Sequence, residues 1–332
     1  MTPPLGPLSF SPLLKRTLWG GRRLGERLGK PIGEGDDYAE SWELVDRDTD
    51  QSIVRDGPLA GKTLAELIAT RAPELLGRHA QLTRFPLLLK YLDCQRVLSV
   101  QVHPDDRYAM NMPQPDLGKT EAWYIVESAP DSVVYAGLKA GVDRDGLQEA
   151  IAAGRTHETL HSFHPTSGQC LFIPAGTVHA LGNGLLVAEV QQSSDTTFRL
   201  FDWNRVDAQG NSRQLHIEQA LHVTDYARGP IQPQFPIASD DGWETLVACD
   251  RFLLRRARFE RPERPERQDW VTGGHDSPVV LMVVSGQVVL RPAAQQATFH
   301  SVGETVLLPA SSGACVFQGA SPGTTVLEVT IP

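Results

Sequence analysis

The chain contains 332 residues, of which 41% are hydrophobic and 21% are charged, as in an ordinary globular protein. Its net charge of −9 argues against a nucleic-acid-binding surface, and its apolar run at residues 278–285 is too short to cross a membrane. The N-terminus is interrupted by prolines and lacks early basic residues, which argues against a signal peptide, and four scattered cysteines indicate a reduced, cytoplasmic protein.

Short runs of Val, Leu and Ile recur between 24 prolines and 29 glycines, which predicts a mainly β protein built as a sandwich or barrel. Helical insertions are expected at about 58–82, 143–154 and 214–224. The first insertion opens with a capping box formed by Thr63 and Glu66. Because Pro73 interrupts its pattern, we expect two short helices there rather than one.

A stretch rich in Pro, Gly and Asp, residues 228–243, is the candidate domain boundary. We therefore expect a larger domain over residues 1–235 and a smaller β-domain over 236–332. The segment Glu260–Arg267 alternates charge with proline, and we interpret it as a solvated hairpin tip or linker. Strand-like pieces of the smaller domain are expected at 244–260, 278–291, 304–308, 314–317 and 324–331.

The first motif with chemical content is Leu98–Asp106. Its alternation predicts a strand that points Leu98, Val100 and Val102 to one side and Ser99, Gln101 and His103 to the other. Pro104 cannot donate to a strand ladder, so the strand should end there. An amide oxygen and an imidazole then lie side by side, as in a ligand-binding site.

The second motif is Gly168–Asn183, in which a buried strand at Cys170–Ile173 leads through a turn containing Pro174 and Gly176 to a return strand that begins at His179. Its spacing, G-x5-P-x-G-x2-H-x3-N, resembles the second signature of the cupin barrels. The first cupin signature resembles Gln101-Val-His103 followed by Glu121. The intervening loop, residues 104–120, is longer than the usual cupin spacing.

The resemblance implies a metal site made of Gln101, His103, Glu121 and His179. Two imidazoles, a carboxylate and an amide oxygen suit Zn²⁺ with an open position for water or substrate. The same ligands would also suit Fe²⁺ or Mn²⁺, and the ligand types alone do not choose among these ions.

Several further segments resemble the type I phosphomannose isomerases, most closely their short bacterial branch. The resemblance covers most of the chain, and its motifs follow one another in the family's order. The segments are LKRTLWGGRRL (14–24), AESWEL (39–44), LLLKYLDCQRVLSVQVHPDD (87–106), GKTEAWYI (118–125), FIPAGTVHALG (172–182) and EVQQSSDTTFRLFDWNR (189–205).

This resemblance implies a zinc-dependent enzyme, with one ion per chain, that interconverts mannose 6-phosphate and fructose 6-phosphate through a cis-enediol. It places the zinc ligands on the four residues named above. The sugar phosphate is the expected partner, with no nucleic acid or membrane, and the chain is expected to be a monomer or weak homodimer. The remaining implied residues are Arg199, Glu189 and Lys119 for catalysis and Lys90 and Ser99 for the phosphate.

Two questions stay open from the sequence. Glu189 is the preferred base for moving a proton between C1 and C2, with Lys119 or a zinc-bound hydroxide as alternatives. The alternative functions are a weakly active or inactive sugar-phosphate-binding paralogue and another cupin metalloenzyme, such as an iron oxygenase.

The C-terminal segment also resembles a cupin, at Gly274–Gly286 and Gly303–Pro309. No His pair precedes Val280 and no His follows Pro309, so the ligand positions are missing. We therefore predict a metal-free, cupin-like β-domain that covers or supports the catalytic barrel.

Overall fold

The computed structural model describes residues 5–206, 210–259, 270–293 and 296–332. The predicted hairpin tip or linker at Glu260–Arg267 lies outside these residues. Within them, no helix has the length and apolar character needed to cross a bilayer. The helices are α1 (Arg23–Glu26), α2 (Leu64–Leu76), α3 (Asp106–Ala109), α4 (Arg144–Ala152) and α5 (Ile217–Val223).

Strands make up most of the regular structure, and they pair antiparallel. The strands before residue 235 are β1 (Leu8–Ser11), β2 (Leu13–Gly21), β3 (Tyr38–Leu44), β4 (Ile53–Val54), β5 (Leu87–Cys94), β6 (Val100–Val102), β7 (Glu121–Ser128), β8 (Val134–Leu138), β9 (Leu160–Phe163), β10 (Cys170–Ile173), β11 (His179–Leu181), β12 (Leu185–Gln192) and β13 (Phe198–Phe201). The later strands are β14 (Ile237–Ala238), β15 (Glu244–Ala248), β16 (Leu253–Phe259), β17 (Trp270–Gly273), β18 (Val279–Ser285), β19 (Gln287–Pro292), β20 (Thr298–Ser301), β21 (Thr305–Leu308), β22 (Ala314–Gly319) and β23 (Thr324–Thr330).

Two sheets form the part of the molecule that carries the sequence motifs. The six-stranded sheet has the order β10-β7-β12-β5-β3-β2, and the five-stranded sheet has the order β13-β6-β11-β8-β9. Strand β12 is buried along its whole length, and its first four residues, Leu185–Ala188, are all apolar. Val187 belongs to the core between the two sheets, whereas Leu186 and Ala188 belong to a second core on the opposite face.

That second core joins the six-stranded sheet to the C-terminal strands. It includes Leu186 and Val190 of β12 together with Leu254, Met282 and Leu327 of the later strands. The six-stranded sheet is therefore covered on both faces, which favours a fixed position for every side chain that it carries.

The C-terminal strands form an eight-stranded sheet, β14-β15-β16-β23-β18-β21-β1-β4, and a four-stranded sheet, β17-β22-β19-β20. Their shared core is packed with aromatic rings, among them Trp243, Trp270 and Phe317. Strands β1 and β4 come from the N-terminus but pair within the eight-stranded sheet. The division at residue 235 stays a prediction, and one sheet draws its strands from both sides of it.

The helical insertions occur where the sequence predicts them. Thr63 and Glu66 form both hydrogen bonds of the capping box at the start of α2. Arg71 has non-helical backbone angles two residues before Pro73, which confirms the predicted break. Helices α4 and α5 fall within the other two predicted insertions, whereas the one-turn helices α1 and α3 are too short to leave a periodic signal.

The core that joins the six-stranded sheet to the C-terminal strands should dominate stability. Leu186 is fully buried there, so Leu186→Ala should lower the free energy of unfolding by about 2–5 kcal/mol through lost burial and the cavity left behind. The matched control is Leu18→Ala, because Leu18 is 71% exposed and should change stability by less than about 0.5 kcal/mol. Urea denaturation measures both, and equal effects would contradict this view of the core.

Candidate active site

Strand β6 brings three of the predicted site residues onto one face of the five-stranded sheet. Gln101 lies directly opposite His179 of β11 on one side and opposite Arg199 of β13 on the other. Residues that face each other across an antiparallel pair project to the same side of the sheet. Val100 and Val102 belong to the core on the opposite face, as the alternation predicts.

The turn Pro174–Gly176 connects the two sheets. Strand β10 pairs with β7 in the six-stranded sheet, whereas β11 pairs with β6 and β8 in the five-stranded sheet. The strand that begins at His179 therefore does not pair back onto Cys170–Ile173, because the turn carries the chain across to the other sheet. Gly176 has a φ of 84°, which favours glycine, and its N–H donates to the carbonyl of His103 at 2.8 Å.

Glu121 enters the same space from the six-stranded sheet. It is the first residue of β7 and pairs with Ile173 of β10 and Gln191 of β12. Lys119 precedes the strand rather than lying in it, but its Nζ lies 3.1 Å from Oε2 of Glu121. This contact places the Lys119 ammonium beside the candidate ligand Glu121.

The two imidazoles and the carboxylate converge. Their ligand atoms lie within 4.8 Å of one another, and all three residues are buried. His179 Nε2 is 3.4 Å from Oε1 of Glu121, and His103 Nε2 is 3.6 Å from Oε2. The carboxamide nitrogen of Gln101 lies 3.4 Å from Nε2 of His179, so a half-turn of this amide would present its oxygen instead.

Backbone carbonyls fix the orientation of both imidazoles. His103 Nδ1 donates to the carbonyl of Thr196 at 3.0 Å, and His179 Nδ1 donates to the carbonyl of Thr177 at 2.9 Å. Each Nε2 is then left with a lone pair directed at the carboxylate, which is how metal-binding imidazoles are usually held. These carbonyl partners could not be predicted from the sequence, because every residue type supplies a backbone carbonyl.

The surroundings keep both imidazoles neutral. Burial lowers the pKa of His179 to about 4, and Lys119 adds to the effect. Burial also lowers the pKa of His103 well below its ordinary value, again with a contribution from Lys119. Within the described residues, Nε2 of His103 and both oxygens of Glu121 have no hydrogen-bond partner. Two neutral imidazole nitrogens beside a buried carboxylate that accepts no hydrogen bond from the described residues fit a divalent cation.

A second charged cluster lies on the same face of the six-stranded sheet. Glu189 of β12 faces Lys90 of β5 and Trp123 of β7. The indole Nε1 of Trp123 donates to Glu189 at 3.1 Å, and Lys90 Nζ lies 3.6 Å from Glu189 and 3.2 Å from Glu40. Trp123 lies two residues beyond Glu121, so the period-2 alternation could have predicted its place in the site.

Burial and the neighbouring groups of opposite charge have opposing effects on the pKa values of Glu189 and Lys90. Burial raises the pKa of the Glu189 carboxyl, and the nearby Glu121 carboxylate raises it further, although Lys119 and Lys90 oppose the rise. Burial would lower the pKa of Lys90, but Glu40 and Glu189 outweigh it and raise that pKa. Lys90 therefore stays a cation, and Glu189 is held as a carboxyl group whose proton affinity is above the ordinary value.

Arg199 lies on β13, the edge strand of the five-stranded sheet, and its side chain contacts Ser99. The Nε of Arg199 donates to Ser99 Oγ at 3.1 Å, and Nη1 donates to the carbonyl of Gln214 at 3.0 Å. Burial lowers the pKa of the Arg199 guanidinium, and Arg213 lowers it further by charge repulsion. The structure thus pairs a residue predicted for catalysis with one predicted for phosphate binding.

A cavity of about 960 Å³ is lined in part by the turn Pro174–Gly176, and none of the four ligand-type side chains lines it. Its walls include Arg107, Tyr108, Arg228 and Arg251. We locate the chemistry at the buried cluster rather than in this cavity, because the unpaired ligand atoms lie there.

Known proteins are similar to this chain in sequence and in fold. The family model of the type I phosphomannose isomerase catalytic domain matches residues 8–127. The mannose-6-phosphate isomerase of Streptococcus mutans is 32% identical over 314 residues, which are 94% of this chain and 95% of that protein. The chain belongs to the type I phosphomannose isomerases. The probable mannose-6-phosphate isomerase GmuF of Bacillus subtilis is 41% identical over 65% of this chain and 68% of that protein.

Solved phosphomannose isomerase structures superimpose on this structure along nearly its whole chain. The mannose 6-phosphate isomerase of Bacillus subtilis superimposes with a TM-score of 0.86 at 28% identity, covering 98% of this chain and 99% of that one. A putative mannosephosphate isomerase of Archaeoglobus fulgidus shares the fold with a TM-score of 0.76 at 21% identity, covering 99% and 98%. The predicted mainly β, cupin-type fold is confirmed.

The depressed pKa of His179 predicts how the metal-free protein responds to acid. The unfolded chain takes up a proton near pH 6.5, whereas the folded chain resists it until about pH 4, so folding is favoured less as the pH falls through this window. The free energy of unfolding should fall by up to about 1.4 kcal/mol per pH unit from this histidine. His179→Gln should reduce that slope in denaturation of chelator-treated protein, and an unchanged slope would contradict it. His222→Gln, at an exposed histidine, is the control.

Proposed function

We propose that this chain interconverts mannose 6-phosphate and fructose 6-phosphate, with one zinc ion per chain held by Gln101, His103, Glu121 and His179. The observation that carries the proposal is the convergence of two neutral imidazoles and a buried carboxylate, with no hydrogen bond within the described residues to Nε2 of His103 or to either oxygen of Glu121. The membership of the chain in the phosphomannose isomerases supports the substrate.

The ligand set favours zinc over a purely oxygen-seeking ion. Two imidazole nitrogens, one carboxylate and one amide oxygen match the zinc sites that keep a position open for catalysis. When bound, the ion would act as a Lewis acid on the oxygens at C1 and C2 of the sugar. Gln101 would supply a neutral oxygen, which reduces the positive charge of the ion less than a second carboxylate would.

The reaction needs a base that takes the proton from C2 of mannose 6-phosphate and returns it to C1. We assign this role to Glu189, because its carboxylate is anchored by the indole of Trp123 and lies beside the cation of Lys90. A raised pKa suits a group that must accept and then release a proton near neutral pH. Lys119 is the alternative base.

The positive charges around the ligands would stabilise the enediol. Negative charge develops on the oxygens at C1 and C2, and a fixed cation near them lowers the barrier. Lys119 is placed for this by its contact with Glu121. Arg199 was predicted to act here as well, and its contact with Ser99 brings it also to the proposed phosphate site.

We propose that Ser99 and Arg199 hold the 6-phosphate. A guanidinium and a hydroxyl match the donors that a phosphate needs, and Arg213 adds positive charge nearby. Lys90 was predicted to bind the phosphate too. Its ammonium lies between Glu40 and Glu189, which favours a role in holding Glu189, and the phosphate role stays a prediction.

Cytoplasmic location and a state of monomer or weak homodimer remain part of the proposal. The free cysteines support the location, and the oligomeric state is carried over from the sequence expectation. Light scattering across a range of protein concentrations would test the oligomeric state.

Metal removal tests the function directly. Protein treated with a chelator should lose turnover of mannose 6-phosphate, because the substrate oxygens lose their Lewis acid, and one equivalent of Zn²⁺ should restore it. A coupled assay for fructose 6-phosphate measures this. Full zinc binding without turnover would instead indicate a sugar-phosphate-binding paralogue. Bound iron with oxygen uptake would indicate another cupin metalloenzyme, and either result would contradict the proposal.

Replacing the proposed base separates chemistry from metal binding. Glu189→Gln keeps the shape of the side chain but cannot take a proton, so kcat should fall by about 10²- to 10⁴-fold while zinc content stays at one equivalent. The control is Glu127→Gln, because Glu127 lies on β7 and pairs with Arg27 rather than with the cluster. If turnover by Glu189→Gln equals that of the control, Glu189 is not the base.

A further inference from the structure

The carboxylate of Asp116 is the meeting point of three loops beside the metal ligands. Arg47, from the loop after β3, donates to both of its oxygens, with Nη1 at 3.0 Å and Nη2 at 3.2 Å. Such two-point contact with a guanidinium fixes a carboxylate in position as well as in charge. Asp116 itself lies near the end of the long loop 104–120 that interrupts the cupin spacing.

The third loop is the segment between β12 and β13. Three consecutive residues of this segment donate to Oδ2 of Asp116. They are Ser194 through Oγ at 3.3 Å, Asp195 through its N–H at 3.3 Å and Thr196 through Oγ1 at 3.0 Å. Because this segment crosses between the two sheets outside any strand, side-chain contacts of this kind set its position.

The segment matters to the site because Thr196 carries the carbonyl that receives the Nδ1 proton of His103. The same carboxylate also orders the approach to Lys119. Leu117 donates its N–H to Asp116 at 2.9 Å and accepts from Ser194 Oγ at 2.8 Å through its carbonyl. The Asp116 side chain thus makes hydrogen bonds both to the loop that orients His103 and to the loop that positions Lys119 beside Glu121.

The charge of Asp116 is maintained by these donors. Burial alone would raise the pKa of its carboxyl, but Arg47 and the N–H of Leu117 outweigh burial and hold that pKa below the ordinary value. The carboxylate is therefore ionised at neutral pH.

We propose that Asp116 is a positioning residue of the metal centre, which holds the carbonyl of Thr196 against His103 and the Lys119 loop against Glu121. The inference rests on the proposed function for its metal ion. It also assigns a role to the long loop 104–120, because this loop carries Asp116, for which the shorter cupin spacing would leave no room.

The test compares Asp116→Ala and Asp116→Asn with a matched control, Asp241→Ala. Asp241 likewise accepts from an arginine, Arg255 Nη1 at 2.9 Å, and from a backbone N–H, that of Trp243 at 3.2 Å, but it lies with the C-terminal strands. Urea denaturation of each metal-free protein measures its stability, so that effects on the site can be compared at similar losses of stability.

Two readouts report on the site rather than on folding. The first is the imidazole Nδ1–H signal of His103 in nitrogen-15 spectra of the metal-free protein, assigned with His103→Gln. The second is the zinc dissociation constant by chelator competition. Asp116→Ala should weaken or broaden the signal and raise the dissociation constant about 10- to 100-fold. The zinc dissociation constant of Asp116→Asn should lie between those of Asp116→Ala and the wild-type protein. Asp241→Ala should have the wild-type dissociation constant and the wild-type His103 signal.

Thr196→Val keeps the test decisive if Asp116→Ala does not fold. It removes only the hydroxyl that reaches Asp116, keeps the carbonyl, and should raise the zinc dissociation constant to a smaller extent. Wild-type zinc affinity and a wild-type His103 signal in the folded variants would overturn the inference, as would equal weakening by Asp241→Ala. Failure of the wild-type protein to bind zinc would instead refute the proposed function, while the His103 signal would still test Asp116.

Discussion

The site depends on three buried atoms that accept no hydrogen bond within the described part of the chain. Nε2 of His103 and both oxygens of Glu121 are enclosed without hydrogen bonds, and the Lys119 ammonium beside Glu121 only partly offsets the negative charge. Burying such groups costs free energy unless an ion satisfies them. A bound cation would therefore offset the free-energy cost of burying these atoms between the two sheets.

The two sheets of the barrel make that arrangement possible. Gln101 and His179 lie on the five-stranded sheet, His103 follows directly after β6, and Glu121 comes from the six-stranded sheet. The six-stranded sheet is fixed in turn by the apolar core that it shares with the C-terminal strands. The core of the C-terminal strands is packed with aromatic rings, among them Trp243, Trp270 and Phe317.

The features of the site that follow from local sequence patterns could be predicted from the sequence. The spacing of Gln101 and His103 identified a strand face, and the Pro-x-Gly turn located His179, because both features follow from local backbone geometry. The pairing of β11 with β6 rather than β10, and the entry of β1 into the C-terminal sheet, could not be predicted because they depend on long-range strand order. The carbonyl partners of both histidines and the contacts of Asp116 were likewise invisible, since they join loops distant in sequence.

The most direct measurement of the central claim is anomalous diffraction at the zinc edge from crystals of zinc-loaded protein. We expect one peak per chain between the two sheets, about 2.0–2.1 Å from Nε2 of His103 and of His179, and within bonding distance of Glu121 and the Gln101 oxygen. A peak elsewhere, or full zinc occupancy with the ligand atoms of His103 and Glu121 still unpaired, would contradict the assignment of the metal centre.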